Sequence, residues 1–556
     1  MYNSVRASSG RVSSESILSN SDGSESDLAH GLSSDSDNGV HLITFPEEKK
    51  EKIKPENLSD RIANVLVKAE EEKEDKYKIS ATKHANFKKS EYYLEDDNFL
   101  NIYYKASEKK GSLFLGKGQF AQCFKLVLNR KDPDTGEIDN KTKVDIPKNN
   151  YLYKEYLDDD HSTEIRVCCK KVDFKPKKKK NKHMTDEDKI KEELEKQDHE
   201  NEFIRELQNL LTITSRKQKH ARRQDGAIMI QADHVMGCIG IYFKNDNYLL
   251  MTEFFNKGSL ENWLKSESEK TVRDHMKLTW NKMIDFSKQI TLGLMFLEKC
   301  SIVHRDIAPR NICIHEPGND EQILKIIDFG LARIIEPESG TSSGYFQDQK
   351  KLEIRKLPVP ITPVEIITNS YGFKGNPWSK AERGAFTYKS DIWALGVLMY
   401  EMSIYCRYDK NIPKGFHMPF AKEVSAYYLR KVLKRPSSEG LTATDWKNFR
   451  VKYSILFSEF LAPNYKKHLY SLGEVDVYES SKAHAYTNKK NRIVLRSDMP
   501  KSLSKLIKST WKLIDERPDA AQMHKELWDI SKSEDKNLDA IIEIEEPSSS
   551  FSCYLL

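Results

Sequence analysis

No uninterrupted apolar stretch in this sequence is long enough to span a bilayer; "IWALGVLMY" is short and directly follows Asp391. The N-terminus, "MYNSVRASSG", has no apolar core of the kind a secretory signal needs. Both absences argue against a receptor architecture. Cysteine is sparse, 8 in 556 residues, with no C-x-x-C pair. That argues against a zinc site or disulfide framework and for a reducing compartment. Excess charge of one sign is missing too. With 90 basic and 85 acidic residues the formal net charge is +5, a near balance that by itself says little about partners; no nucleic-acid partner is expected. Residues 1–100 lack the length and apolar pattern of a phosphotyrosine-binding module. A hydrophobic share of 38% beside a charged share of 31% is low for a compact globule, so part of the chain is expected as solvated tail or loop.

What is present changes in texture along the chain. Residues 1–40 are rich in Ser, Asp and Gly and read as a disordered tail. Residues 41–108 read as a charged linker, partly helical, with a helix around "IANVLV" after Ser59 and Asp60. From 109 to 530 the pattern is that of a folded domain, and 531–556 is a C-terminal tail. "SLFLGKGQFAQCFKLVL" and "IRVCCKKVDF" alternate as strands do, while "FSKQITLGLMFLEKC" and "IWALGVLMYEM" carry helical apolar spacing. Insertions are expected at about 130–163, 174–200 and 405–495. Strands early and helices late predict a two-lobed α+β fold, with a small β-rich N-lobe and a larger, mostly helical C-lobe.

Four clusters could carry chemistry. "LGKGQFAQC" sets Gly116 and Gly118 in a strand-turn-strand context, where a backbone can approach phosphates, although a plain hairpin reads the same way. "VCCK" ends on Lys170, and "EFIRELQNLL" offers Glu206 as its partner, or Glu202 one turn earlier. Glu206 is preferred because Leu210, a turn further on, is apolar. "HRDIAPRN" supplies Asp306 and Asn311, and "KIIDFGLAR" supplies Asp328. Singly, each has an ordinary structural explanation. In this order together they resemble the catalytic domain of eukaryotic protein kinases, specifically the non-receptor tyrosine-kinase group.

The resemblance implies an enzyme using ATP and Mg²⁺. Leu115, Gly116, Gly118, Cys123, Cys168, Lys170, Thr252, Glu253 and Cys313 would line the nucleotide, with Thr252 as gatekeeper. Asp306 would be the catalytic base, Arg310 would contact the transferring phosphate, Lys170 would pair with Glu206, and Asn311 and Asp328 would hold magnesium. Asp391 would brace the catalytic loop, and Arg517 would pair with Glu365. The expected partners are protein substrates with tyrosine acceptors; the oligomeric state has no signature in the sequence.

Tyrosine specificity rests on two features. Ala308 stands where serine/threonine kinases carry a Lys, and Arg310 delivers that charge from the tyrosine-kinase position. "RKLPVPITPVE" places Pro358 where that group supports the flat substrate ring, although Ile361 replaces its Trp. A serine/threonine or dual-specificity kinase is the alternative. A pseudokinase scaffold is weaker, because Lys170, Asp306 and Asp328 are all present. Tyr345 would be autophosphorylated and pair with Arg305. Cysteines at 123, 168 and 313 replace Val, Ala and Leu around the adenine, so alkylators are expected to compete with ATP. The chain is expected in the cytoplasm. Lys177–Lys180 could serve nuclear import, and "CYLL" could prenylate at Cys553 and give weak membrane association.

Overall fold

The computed structural model describes residues 57–73, 87–108, 113–117, 121–131, 134–148, 150, 165–172, 174, 185–222, 226–268, 278–318, 321–335, 346–347, 361, 363, 385–405, 421–436, 499–512, 514 and 516–533, with scattered positions between 439 and 448. The expected tail at 1–40, the expected 531–556 tail from 534 onwards (531 and 532 end the last helix), most of the 405–495 insertion, and Gly118, Lys177–Lys180, Tyr345, Pro358, Glu365 and Cys553 lie outside them.

The smaller lobe is a five-stranded antiparallel sheet. Its strands are β1 (Phe114–Lys117), β2 (Ala121–Leu128), β3 (Ile165–Val172), β4 (Cys238–Lys244) and β5 (Asn247–Glu253), in the order β1-β2-β3-β5-β4. In β2 the even positions Phe124, Leu126 and Leu128 are buried and the odd ones half-buried, the period that commits one face to a core.

Residues 57–73 and 87–108, within the stretch expected as a partly helical linker, are part of this lobe. Asn57 caps helix α1 (Leu58–Lys73) by accepting from Asp60 N at 2.9 Å. Leu58, Ile62, Val65, Leu66 and Ala69 make its apolar stripe, which joins the core cluster containing Phe203, Ile204, Leu207 and Leu211. Those four belong to α3 (Asp186–Arg222), so the back half of the 174–200 insertion is the front of one long helix. Arg61 fixes the pair by donating to Asn201 at 2.6 Å, with Glu200 at 3.8 Å.

The chain then runs along the exposed edge of β4. Ile241 N donates to Tyr92 O at 2.7 Å and Leu94 N to Ile241 O at 3.0 Å, which covers an edge otherwise open to pairing. Gly240 permits the approach, since a Cβ there would stand 2.8 Å from Tyr92 O. Helix α2 (Asn98–Glu108) packs Phe99, Ile102 and Tyr103 onto the outer face of the sheet. The 130–163 insertion folds back as far as Asn150, whose buried amide donates to Ile239 O at 2.8 Å and to Glu91 O.

The larger lobe is mostly helical. After α4 (Gly226–Ala232) and α5 (Leu260–Ser268), helix α6 (Trp280–Lys299) starts on Thr279, which accepts from Lys282 N at 3.2 Å. Paired short strands β6 (Ile302–Val303) with β9 (Arg333–Ile334), and β7 (Ile312–His315) with β8 (Ile323–Ile326), lie between α6 and α7 (Tyr388–Tyr405) in sequence. Helices α8 (Ala421–Lys431), α9 (Lys501–Ser509) and α10 (Ala520–Lys532) follow, the last opened by an Asp519–Gln522 capping box. Among the described residues no helix is long and apolar enough to cross a membrane.

Candidate active site

β3 points Lys170 towards α3, where its Nζ donates to both oxygens of Glu206 at 2.7 and 2.6 Å. Burial alone would lower the Lys170 pKa, but the Glu206 and Asp328 charges outweigh it and hold the ammonium above its ordinary range. Glu202 lies instead against His199, 3.3 Å from its Nδ1.

The loop from His304 to Asn311 is pinned from below by α7. Asp391 accepts from His304 N at 2.7 Å and from Arg305 N at 2.8 Å. Burial pushes its carboxyl up to about 7 against those two donors. The clamp holds Arg305 at φ +69°, in the left-handed region, with its guanidinium 4.2 Å from the Phe386 ring centre. His304 is buried, which drops its pKa to about 4 and keeps the imidazole neutral. Its Nδ1 accepts from Asp306 N at 3.3 Å, which assigns the ring proton to Nε2, 3.0 Å from Ile327 O. The same ring meets Phe329 edge-on, with centroids 5.1 Å apart.

Asp306 is nearly enclosed. Arg310 donates to its Oδ1, and Asn311 Nδ2 donates to its Oδ2 at 2.6 Å and its carbonyl at 2.9 Å. Burial still pushes the carboxyl up to about 6; Arg310 opposes the rise and Asp328 adds to it. Asp328 itself is exposed, with φ +66°. Since the Asn311 amide nitrogen is committed to Asp306, its oxygen remains for a cation. That oxygen and the Asp328 carboxylate are hard donors that fit Mg²⁺.

The sheet supplies a roof for the cleft. Gly116 pairs with Cys123, Cys123 with Lys170, and Cys168 with Thr252. Cys313, on β7, comes from the other lobe and is half-buried, as are Cys123 and Cys168. Leu115 is exposed at the strand tip. Glu253 turns its carboxylate into the protein, accepting from Gly237 N at 2.5 Å, with Lys217 at 3.6 Å and Lys325 at 4.0 Å. Only its main chain is then left to meet a nucleotide.

Two features were not anticipated. Asn209, one turn beyond Glu206, donates to Phe329 O and Ala332 O at 3.1 Å each, tying α3 to the segment after Asp328. A polar residue inside the short apolar stretch "LQNLL" of α3 was its visible signal. The second is the Glu253–Lys217–Lys325 cluster, signalled by a lysine inside the apolar run "ILKII".

Arg517, expected beside Glu365, is fully buried, donates to Lys389 O and Lys512 O at 2.9 and 3.0 Å, and lies 5.0 Å over Trp393.

Comparison with known proteins gives two likenesses. Residues 188–418 match the family model described as protein tyrosine and serine/threonine kinase. Over 181 residues the chain is 30% identical to tyrosine-protein kinase Btk of Drosophila melanogaster. That match covers 32% of this chain and about a fifth (19%) of the relative's length.

Proposed function

We propose that this chain is a protein kinase, as the match of residues 188–418 to the protein tyrosine and serine/threonine kinase model supports, and that its cleft transfers the γ-phosphate of ATP to protein tyrosine residues. The observation that carries this is the convergence of two lobes. The Lys170–Glu206 pair comes from β3 and α3, while Asp306, Arg310 and Asn311 form one hydrogen-bonded group on the loop below. Lys170 anchors phosphate oxygens and Asp306 aims the acceptor hydroxyl and accepts its proton. Arg310, which already touches Asp306, presents its guanidinium to the moving phosphoryl group. A magnesium ion held by Asn311 and Asp328 would supply charge neutralisation at the phosphates.

Tyrosine is preferred over serine because position 308 is alanine and the cation comes from Arg310. The relative named a tyrosine-protein kinase supports the same choice. The family description spans both classes, so a serine/threonine or dual-specificity enzyme is the second reading.

The test uses the full-length protein with Mg-ATP and a mixed protein substrate, followed by phosphoamino-acid analysis. Phosphotyrosine is expected, and Asp306→Asn should reduce it about 10²–10⁴-fold. Phosphoserine alone would move the assignment to the second reading. No transfer by the wild type would leave only a binding role.

Regulation through Tyr345 is proposed from its sequence position, with Arg305 as the cation for its phosphate. Unchanged activity in Tyr345→Phe would exclude it. A cytoplasmic location, with nuclear entry through Lys177–Lys180 or a membrane-held fraction through Cys553, rests on those motifs alone.

A further inference from the structure

Glu206 and Asn209 are three residues apart on α3, so they lie on one face of the helix. Glu206 takes the Lys170 ammonium on both of its oxygens. Asn209 is buried, and its Nδ2 donates to Phe329 O and Ala332 O at 3.1 Å each. Both N–H bonds of the amide are therefore spent on one short turn, the four residues that directly follow Asp328.

The turn does not need Asn209 to satisfy its carbonyls. Phe329 O already accepts from Ala332 N at 3.2 Å, and Ala332 O from Arg333 Nη1 at 2.9 Å. Leucine at 209 would leave neither oxygen without a donor. It would also match Leu207, Leu210 and Leu211 beside it on the helix, all buried. Burying an amide carries a desolvation cost that leucine would not. What the amide adds is direction: two N–H groups in one plane fix where the turn stands relative to the helix.

Position matters at this point because Asp328 stands at φ +66°, a conformation that surrounding structure must hold. Upstream, Ile327 N donates to Asn311 O at 2.9 Å, which ties the approach to the loop carrying Asp306. Downstream, Gly330 N donates to Asp328 Oδ1 at 3.3 Å, and the buried Phe329 ring meets His304 edge-on. These contacts fix Asp328 within its own lobe. The Asn209 pair refers it to α3, and through Glu206 to Lys170.

We propose that Asn209 is a positioning residue for Asp328: by clasping the turn at 329–332 it holds the metal-binding carboxylate in register with the Lys170–Glu206 pair. One helix then sets two partners of the nucleotide at once, Lys170 through Glu206 and the carboxylate through Asn209. This rests on the function proposed above, in which Asp328 and Asn311 hold magnesium at the phosphates. Asn209 itself touches neither metal nor nucleotide. Its effect is on how much the metal adds to nucleotide binding.

The test measures binding of a fluorescent ATP analogue to the full-length protein, once with Mg²⁺ and once with EDTA. The ratio of the two affinities reports the coupling to the metal and needs no turnover. Mg²⁺ should tighten binding to the wild type, and Asn209→Leu should shrink that gain about tenfold while the affinity in EDTA stays the same. Hydrogen exchange over 326–335 in the metal-free protein should be faster in Asn209→Leu. Thr214→Val is the control for a merely weakened helix, since it removes the buried bond that Cys238 N donates to Thr214 Oγ1 at 2.7 Å. Its Mg²⁺ gain should match the wild type. Asn209→Ser, smaller and with a single donor, decides the matter if the leucine variant does not fold; its gain should also fall. An equal fall in Thr214→Val would overturn the proposal. A wild type that binds no analogue would overturn the nucleotide reading and this assignment with it. A wild type that gains from Mg²⁺, beside a folded Asn209 variant that gains as much, would overturn the role of Asn209 alone.

Discussion

In the proposed reaction Asp306 is the base, and its surroundings set a pH. Burial lifts it to about 6, from an ordinary value of about 4. A base works only when ionised, and the ionised fraction grows as pH rises through that value. The kcat/KM of the free enzyme should therefore climb through about pH 6 and level above it. Arg310 is the charge that holds Asp306 down. Its removal in Arg310→Ala should move the acid limb to higher pH, beyond any fall in the plateau. A pH–rate series on both proteins checks this, and a limb that stays in place would sink the assignment. The sequence could nominate these residues because the proposed phosphoryl transfer needs particular donors in a particular order. The conformation was not legible: nothing in "HRDIAPRN" announces that Arg305 sits at φ +69°, since the cause is Asp391, far along the chain.

Elements were legible where the apolar pattern was local. The alternation in β2 and β3, and the helical spacing of α6 and α7, could be read without knowing their neighbours. Helix α1 shows the limit. Its presence was visible in "IANVLV", but its apolar stripe is diluted by charges, so it read as part of a linker. What buries it is α3, more than a hundred residues later, and no local pattern encodes that pairing. The packing has a functional reach, because α3 also carries Glu206 and Asn209. Leu66 is fully buried at this contact, while Lys68 on the same helix is exposed. Leu66→Ala should lower the unfolding free energy by about 2–5 kcal/mol. It should also lower kcat/KM, because α3 then holds Glu206 against Lys170 less firmly. Lys68→Ala should do neither. Urea unfolding and steady-state kinetics on both variants decide it; equal costs would mean that α1 does not support the site.

At the scale of the whole molecule the two lobes must hold one register while the cleft binds and releases. One covalent link between them lies just after β5, where Glu253 ends the sheet. The Glu253 carboxylate adds a second tie: Lys217 reaches it from α3 and Lys325 from β8, so one buried negative charge is shared by cations from both lobes. Asn209 adds a third, through Phe329 O and Ala332 O. Several ties across one boundary predict that the lobes unfold together. Removing one partner of a buried ionic group is expensive because the remaining charges stay buried. Glu253→Gln keeps a hydrogen-bond acceptor for Gly237 N but leaves Lys217 and Lys325 facing a neutral amide. The expected loss is about 3–5 kcal/mol of unfolding free energy. Adding Lys325→Met should restore part of it, because one of the two buried cations is then gone. Denaturant unfolding of the single and double variants measures both. A Glu253→Gln protein as stable as wild type would show that the shared carboxylate does not tie the lobes.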